Sequence, residues 1–429
     1  MKRIKWLAPA IALPLVIAAL TGCTSSSSSA TTTKQDAKSP ITIWVDGTRL
    51  DLANKWKTAH PEYKATVESV DGVTQKVALA VKAGRGIPDI IFLGEPSEIS
   101  TLLTNSVNYP LALNDLVTKK KLDGFAPGTV AKCTYNDKVY CLPNDTAQTV
   151  MYYNKTLFDK WGYTVPTTFS DWEALSEKVA AEHPGYSLGT MNGRYGLDGY
   201  FGSSGCEYND ASSATAVKIN LTSNACARVT DVMGRMVKSG TLSTLDFFDT
   251  AYIKTISDGH LLAAIAPSWM GLYGIKPNYK AEGDYAVAAM PKWKGADTNY
   301  SGAVGGGLWV AYSGTKNQKA VADFMTTETT DNAYIATGPG YPAYSAAANE
   351  WLKTTASDPW YAEDPSVALK YAAGKISPTL GFVRYQPQIA DSYTNLIVKN
   401  AGGDLASAVS SFGDEITQAA KAAGYKVSK

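Results

Sequence analysis

The apolar-rich run Ile41-Thr42-Ile43-Trp44-Val45 predicts a strand, and Leu50 to His60 follows with helical spacing after the turn residues Asp46-Gly47-Thr48. Tyr63 to Ser69 alternates and predicts a second strand. Thr74 to Ala83 predicts a second helix, broken by Gly84, Gly86 and Pro88. Asp89-Ile90-Ile91-Phe92-Leu93 then reads as a fully buried third strand. Strand, helix, strand, helix, strand at this spacing implies right-handed crossovers and a parallel sheet. In such sheets ligands sit beyond the carboxyl ends of the strands, here at Asp46, Asp71 and Glu95.

The pattern changes after Cys133. Tyr135 to Tyr140 carries the turn pair Asn136-Asp137 between strand-forming residues and predicts a hairpin flanked by Cys133 and Cys141. The polar loop Pro143 to Gln148 precedes the apolar-aromatic run Val150-Met151-Tyr152-Tyr153, which predicts a buried strand, and Asn154 is placed to cap the next helix. Farther on, Phe169 to Leu175 predicts a helix start, with Ser170 as N-cap and Glu173 as its capping-box partner. Tyr186 to Gly205, rich in Gly and Tyr, predicts loop. Asn224 to Lys238 predicts an amphipathic helix. Gly259 to Met270 predicts a strand running into a loop with Trp269, and Tyr285 to Met290 another strand. The glycine run Gly302 to Gly307 lacks a following Lys-Ser/Thr and so is no phosphate loop; close backbone approach suits it better. Asn317 to Thr327, Ser366 to Ala373 and Leu405 to Gly424 predict helices.

The first 22 residues predict a leader. Lys2, Arg3 and Lys5 precede an apolar run, Leu7 to Leu20, that is short for a membrane span. Leu20-Thr21-Gly22-Cys23 resembles the bacterial lipobox, in which the cysteine is acylated and becomes the mature N-terminus. Thr24 to Pro40 is Ser/Thr/Lys-rich and predicts a flexible tether. The 429 residues are 45% hydrophobic and 18% charged, a globular composition large enough for two or three domains. Removing residues 1–22 leaves 37 basic and 39 acidic residues, a net charge of −2. Lys119-Lys120-Lys121 is the one basic cluster, and this balance argues against a nucleic-acid partner. With Cys23 set apart, Cys133, Cys141, Cys206 and Cys226 allow three pairings; the local pairs Cys133–Cys141 and Cys206–Cys226 are favoured, with free buried thiols as the alternative.

Several of these segments resemble the extracellular sugar-binding proteins of ABC importers, the maltodextrin-binding-like family (solute-binding family 1). Tyr135-Asn136-Asp137-Lys138 is similar to the family's Y-N-G-K hairpin, with Asp137 in place of Gly. Tyr152 to Phe158 matches Y-Y-N-K-x-L-F, and Pro88 to Ile91 matches P-D-[IV]-[IV]. Phe169 to Leu175 is similar to P-x-T-W-x-E-L, and Gly259 to Trp269 to a G-x-x-A-M…W signature whose Trp caps a sugar. The resemblance implies a two-lobed periplasmic-binding-protein-like α/β fold, with the ligand cleft between lobes joined by crossing strands. Residues 41–142 and 310–340 would form one lobe and 143–309 with 341–429 the other, after a signal peptide (1–22) and a tether (23–40). It further implies an oligosaccharide ligand, ABC-transporter permease subunits as partners, no cofactor, and a monomer lipid-anchored through Cys23 on the extracellular face of a Gram-positive cell membrane.

A sugar presents ring faces and hydroxyls, so its binder needs flat aromatics and planar polar groups. The candidates are Trp44, Asp46, Glu95, Asn144, Asp145, Gln148, Tyr195, Trp269, Trp309, Tyr341 and Arg384. Several have a plainer alternative. Trp44 and Trp309 lie within strands and suit a core. Asp46 suits a helix N-cap, Asn144 and Asp145 a strand exit, Glu95 a solvated loop and Arg384 a surface ion pair. Catalytic and metal patterns are weak: His60, His183 and His260 are isolated, and neither H-E-x-x-H, G-x-S-x-G nor C-x₂-C occurs. Two alternatives stay open: the same fold binding a non-sugar solute (an anion or a metal chelate), and a secreted carbohydrate-active enzyme using two cleft carboxylates.

Overall fold

The computed structural model describes residues 33–429 apart from 105, 214, 297, 336 and 378–382. The expected leader and Cys23 lie outside the described residues.

Strand β1 (Ile41–Val45) buries Ile41, Ile43 and Val45 and turns Thr42 and Trp44 the other way. It pairs in parallel with β2 (Ala65–Ser69) on one side and β3 (Ile90–Leu93) on the other. Helices Leu50–Ala59 and Val73–Ala83 make the crossovers. All four residues of β3 are buried, as a central strand covered on both faces requires. The parallel sheet expected from the spacing is therefore present.

The hairpin is also present, between β4 (Thr134–Tyr135) and β5 (Lys138–Val139). Asn136 and Asp137 both have positive φ, the demand of a tight type I′ turn. Both local disulfides form, with Cα separations of 5.1 Å for Cys133–Cys141 and 4.7 Å for Cys206–Cys226. Strand β6 (Leu142–Pro143) follows, then the fully buried β7 (Thr149–Asn154). Asn154 caps the next helix, accepting from the Leu157 amide at 3.0 Å.

The remaining strands are β8 (Glu207–Ser213), β9 (Ala216–Asn220), β10 (Ala263–Pro267), β11 (Tyr285–Ala288), β12 (Leu308–Ala311) and β13 (Lys426–Ser428). The first sheet has the order β2-β1-β3-β12-β6, with β12 antiparallel to both neighbours. The second has the order β10-β7-β11, antiparallel throughout. A small third sheet, β13-β9-β8, lies beside helices Asn224–Lys238 and Leu405–Ala422. Each of the two larger sheets has its own pair of apolar cores. The fold is thus a two-lobed α/β architecture.

Three expectations are corrected. The helix Phe169–Glu182 is capped by Thr168 rather than Ser170. The Thr168 backbone is extended, its hydroxyl accepts from the Asp171 amide, and the Asp171 carboxylate accepts from the Thr168 amide, so the box lies two residues earlier than expected. Tyr186 to Gly205 is not all loop: Tyr195–Phe201 forms a π-helix that runs into the short helix Gly202–Ser204. The tether does not extend to Pro40. Asp36 N donates to Lys316 O at 2.7 Å, and Asn317 Nδ2 donates to Ala37 O and Ser39 O at 3.0 and 2.9 Å. Polar residues can be held by backbone partners without any apolar burial, which composition does not reveal.

Candidate functional site

Three chain segments pass between the sheets and bond to one another side by side. Residues 144–149 lie in the middle. On one side Thr149 N donates to Gly302 O at 2.9 Å, Val304 N to Ala147 O at 3.0 Å, and Asn144 N to Gly307 O at 2.7 Å. On the other, Thr146 N donates to Tyr341 O and Ala343 N to Asn144 O, both at 3.0 Å. The backbone here needs the left-handed region: φ is +49° at Ala147, +85° at Gly305 and +100° at Gly306. A side chain at Gly307 would strike the Phe92 ring, its Cβ falling 2.2 Å from Cζ, so this junction requires glycine for close approach.

Most polar candidates in the middle segment fasten this junction. Asp145 Oδ1 accepts from Gly307 N at 2.9 Å and Asn144 Nδ2 at 3.0 Å. Burial pushes its carboxyl up from the usual range, against the pull of the Arg49 guanidinium. Asn144 Oδ1 accepts from Trp309 Nε1 at 3.1 Å. Gln148 is fully buried; its amide donates to Leu369 O at 3.1 Å, and its oxygen accepts from the Thr146 and Ser268 hydroxyls. These three candidates are committed to internal partners.

Trp309 is likewise core. It is wholly buried, its ring edge-on to Phe92 at 5.0 Å and to Phe324 at 5.1 Å, because its strand is covered on both faces. Tyr341 is buried against Trp351 in the third crossing. Trp44 donates from Nε1 to Glu68 Oε2 at 2.9 Å on the neighbouring strand. Asp46 serves the helix entry: Oδ1 accepts from the Thr48 and Arg49 amides at 2.9 and 3.0 Å, and Oδ2 pairs with Arg49 Nη1 at 2.9 Å. Arg384 is corrected most plainly. Its Nη2 donates to Ala423 O at 2.7 Å and its guanidinium lies 4.6 Å from the Tyr425 ring centroid, at the chain's C-terminal end. Tyr425 offered a cation–π partner that the sequence did not identify.

Glu95, Tyr195 and Trp269 draw together elsewhere: Glu95 acts on Tyr195, and Gly305 lies between Trp269 and Gly94, the residue before Glu95. Glu95 follows β3. Its carboxylate pairs with Arg194, at the start of the π-helix Tyr195–Phe201 in the other lobe. Arg194 Nε pairs with the buried Asp198, whose other oxygen accepts from the Tyr208 hydroxyl at 2.6 Å. Lys132, next to the Cys133–Cys141 disulfide, faces Asp198 and Arg194; burial pulls its ammonium down to about 8, against the attraction of Asp198. The Glu95 side chain is 43% exposed, yet desolvation raises its carboxyl despite Arg194.

The aromatic wall belongs to the second lobe. Trp269 Nε1 donates to Val304 O at 2.9 Å, which fixes the indole plane. Phe248 stacks on it at 6.3 Å with an interplanar angle of 12°, and Tyr273 stands edge-on at 5.9 Å. Phe248 and Tyr273 are 43% and 45% exposed, which is unusual for such large rings. Gly305 lies between this wall and the first lobe: an added Cβ would lie 3.4 Å from Trp269 Nε1 and 3.8 Å from Gly94 O. Tyr195 is buried against Phe247 at 4.7 Å, with Asp246, Glu95 and Tyr273 as electrostatic neighbours.

Sequence reasoning missed Arg194, Asp198, Lys132, Phe248 and Tyr273. Tyr273 lies in a second π-helix, Gly271–Ile275. π-Helical turns recur at functional sites, yet both of these have Gly/aromatic compositions that read as loop. Among the described residues, no three His, Cys, Asp or Glu side chains are grouped to hold a metal ion, and no helix is long and apolar enough to cross a membrane.

A family profile described as bacterial extracellular solute-binding protein matches residues 51–368. The chain belongs to this family. Another solute-binding protein, the arabinooligosaccharide-binding protein of Bacillus subtilis (strain 168), is 22% identical over 339 residues, which span 73% of this chain and 72% of that protein. Two solved structures share the solute-binding fold at 20% identity. The galacto-N-biose/lacto-N-biose I-binding protein of an ABC transporter from Bifidobacterium longum, in complex with lacto-N-biose, superposes with a TM-score of 0.77 over 92% of this chain and all of that one. The ABC-transporter-associated binding protein of B. animalis subsp. lactis, in complex with β-1,6-galactobiose, gives 0.76 over 91% of this chain and all of that one.

Proposed function

We propose that the protein is the substrate-binding component of an ABC importer and captures an oligosaccharide at the cell surface. The observation that carries this reading is an arrangement of side chains. A partly exposed wall of Trp269, Phe248 and Tyr273 stands beside a hydrogen-bonding constellation that draws residues from both lobes. Flat rings suit sugar faces, and Glu95, Arg194 and Tyr195 suit hydroxyls. The arabinooligosaccharide, lacto-N-biose and β-1,6-galactobiose proteins supply the ligand class by similarity.

The mechanism is hinge closure. Residues 41–142 with 310–340 move against 143–309 with 341–429, and the three crossings bend. A ligand touching both walls favours the closed state by the difference in its affinity for the two states. The closed form docks on the permease subunits. Cys23 carries the lipid anchor at the extracellular face of the membrane, and the protein works as a monomer. Binding here needs no catalytic group or cofactor.

Calorimetry against di- to pentasaccharides tests the proposal, with recovery of intact sugar afterwards separating binding from hydrolysis. Micromolar or tighter binding of one class, lost in Trp269→Ala, is expected. Turnover of the sugar, or unchanged affinity in Trp269→Ala, would sink it.

A further inference from the structure

The charge arrangement around Arg194 extends the oligosaccharide reading and rests on it. Arg194 Nε bonds Asp198 of its own lobe and Nη1 bonds Glu95 of the other. Among the described residues nothing takes the Nη2 end, and the side chain keeps 19% exposure. Lys132 is the other cation at this point and faces Asp198. Asp246 faces Tyr195 beside Glu95, and Glu98 and Asp145 also act on Glu95. Arg49, paired with Asp46, acts on Asp145; the acids Glu95, Glu98, Asp145, Asp198 and Asp246 still outnumber the cations Arg194, Lys132 and Arg49, each of which faces an acid.

We propose that Arg194 is the specificity-determining residue of the cleft, neutralised by a carboxylate from each lobe so that it serves as a hydroxyl donor and disfavours ligands bearing a carboxylate. An unopposed guanidinium in a groove is a ready binder of carboxylates, through a bidentate fork. Here Nε and Nη1 are already taken, so neither edge of the guanidinium keeps the two donors a fork needs. An acidic sugar would have to displace Glu95 or meet Glu95, Asp198 and Asp246 without a counter-charge, so rejection comes from a built-in repulsion as well as from the fit of neutral sugars. A sugar hydroxyl needs only the remaining Nη2 donors. Because Glu95 and Arg194 belong to different lobes, the pairing that sets the charge is complete only when the groove is closed.

Titration calorimetry with neutral probes (arabinotriose, lacto-N-biose, β-1,6-galactobiose) and acidic probes (digalacturonate, lactobionate) tests this on the wild type, Glu95→Gln and Arg194→Gln. The wild type is expected to bind a neutral probe and to reject the acidic ones. Glu95→Gln frees the guanidinium and should narrow the neutral-to-acidic ratio by about 10- to 100-fold, the worth of a charged hydrogen bond. Arg194→Gln, which retains all the acids, should weaken the neutral probe at least about tenfold without admitting an acidic one. Equal binding of acidic and neutral probes by the wild type overturns the inference. So does an unchanged ratio in Glu95→Gln, or tighter binding of an acidic probe by Arg194→Gln; either leaves the oligosaccharide reading standing. Failure of every probe to bind the wild type removes both.

Discussion

The two sides of the proposed cleft are made differently. The first lobe offers loops at the ends of parallel strands, and their acids look free in the sequence; in the structure most are already employed. Asp46 holds a helix entry; Asp145, on the crossing segment just beyond this lobe, is employed likewise and ties two crossings together. Glu95 reaches across to pair with Arg194. The second lobe offers the rings of Trp269, Phe248 and Tyr273 and the guanidinium of Arg194; Tyr273 lies in one π-helical turn, Arg194 precedes the other, and Phe248 and Tyr273 are exposed. The contrast teaches that a polar residue near a cleft is not thereby a contact. What separates fastener from contact is whether internal partners already satisfy it.

The sharpest test of this contrast sets two tryptophans against each other. Trp309→Ala should cost about 3–5 kcal/mol of stability by leaving a core cavity, read by denaturant unfolding. Trp269→Ala should change stability by less than about 1 kcal/mol and instead weaken sugar binding by about 1.5–3 kcal/mol, in the range of a hot-spot aromatic. Tyr273→Ala should behave likewise with a smaller loss. If Trp309→Ala reduces affinity in a fully stable protein, the division between the walls is misplaced.

The next test concerns an acid of the first lobe. Glu328 is 4% exposed, its Oε1 has no hydrogen-bond partner among the described residues, and burial pushes its carboxyl up to about 8 against the pull of Arg49. In the folded state it therefore keeps its proton where the unfolded chain has lost it. Stability should fall as pH rises from the ordinary carboxylate range toward 8, because the folded state binds more protons there. Glu328→Gln should remove that slope and stabilise the protein at pH 8 by about 1–3 kcal/mol, with no gain at pH 4. Parallel melting curves for variant and wild type across this range would count against a buried neutral Glu328.

Smaller effects belong to the junction. Gly306→Ala meets a positive φ and Asp145 O at 3.2 Å, and should destabilise by about 1–2 kcal/mol. Ala147→Gly relieves its positive φ and should be neutral or stabilising by up to about 1 kcal/mol. Arg384→Ala should leave sugar affinity unchanged, and a measured loss there would reinstate it as a cleft residue.

The sequence made strands legible where apolar runs were unbroken, as in Ile90 to Leu93 and Val150 to Tyr153. It made the hairpin and both disulfides legible through local spacing. Trp269 and Glu95 could be singled out as candidates because one follows a predicted strand in a matched motif and the other ends a parallel strand. The fate of Gln148 was not, since its partner Leu369 lies 221 residues away in the chain. Nor were Arg194 and Tyr273, whose helical turns are wound from residues that usually mark loops. Long-range pairing and π-helical winding leave no periodic signature to read.

The docking of residues 35–39 onto Thr315–Gln318 bears on how such a molecule would work at a surface. Gln318 opens the helix Gln318–Thr330, whose apolar face packs in the core beneath β1 and β12. A membrane attachment at Cys23 would thus pull on the first lobe alone, through twelve residues spanning at most about 40 Å. On the proposed anchoring and hinge closure, that half would be the moored one and the aromatic-bearing half the one that moves.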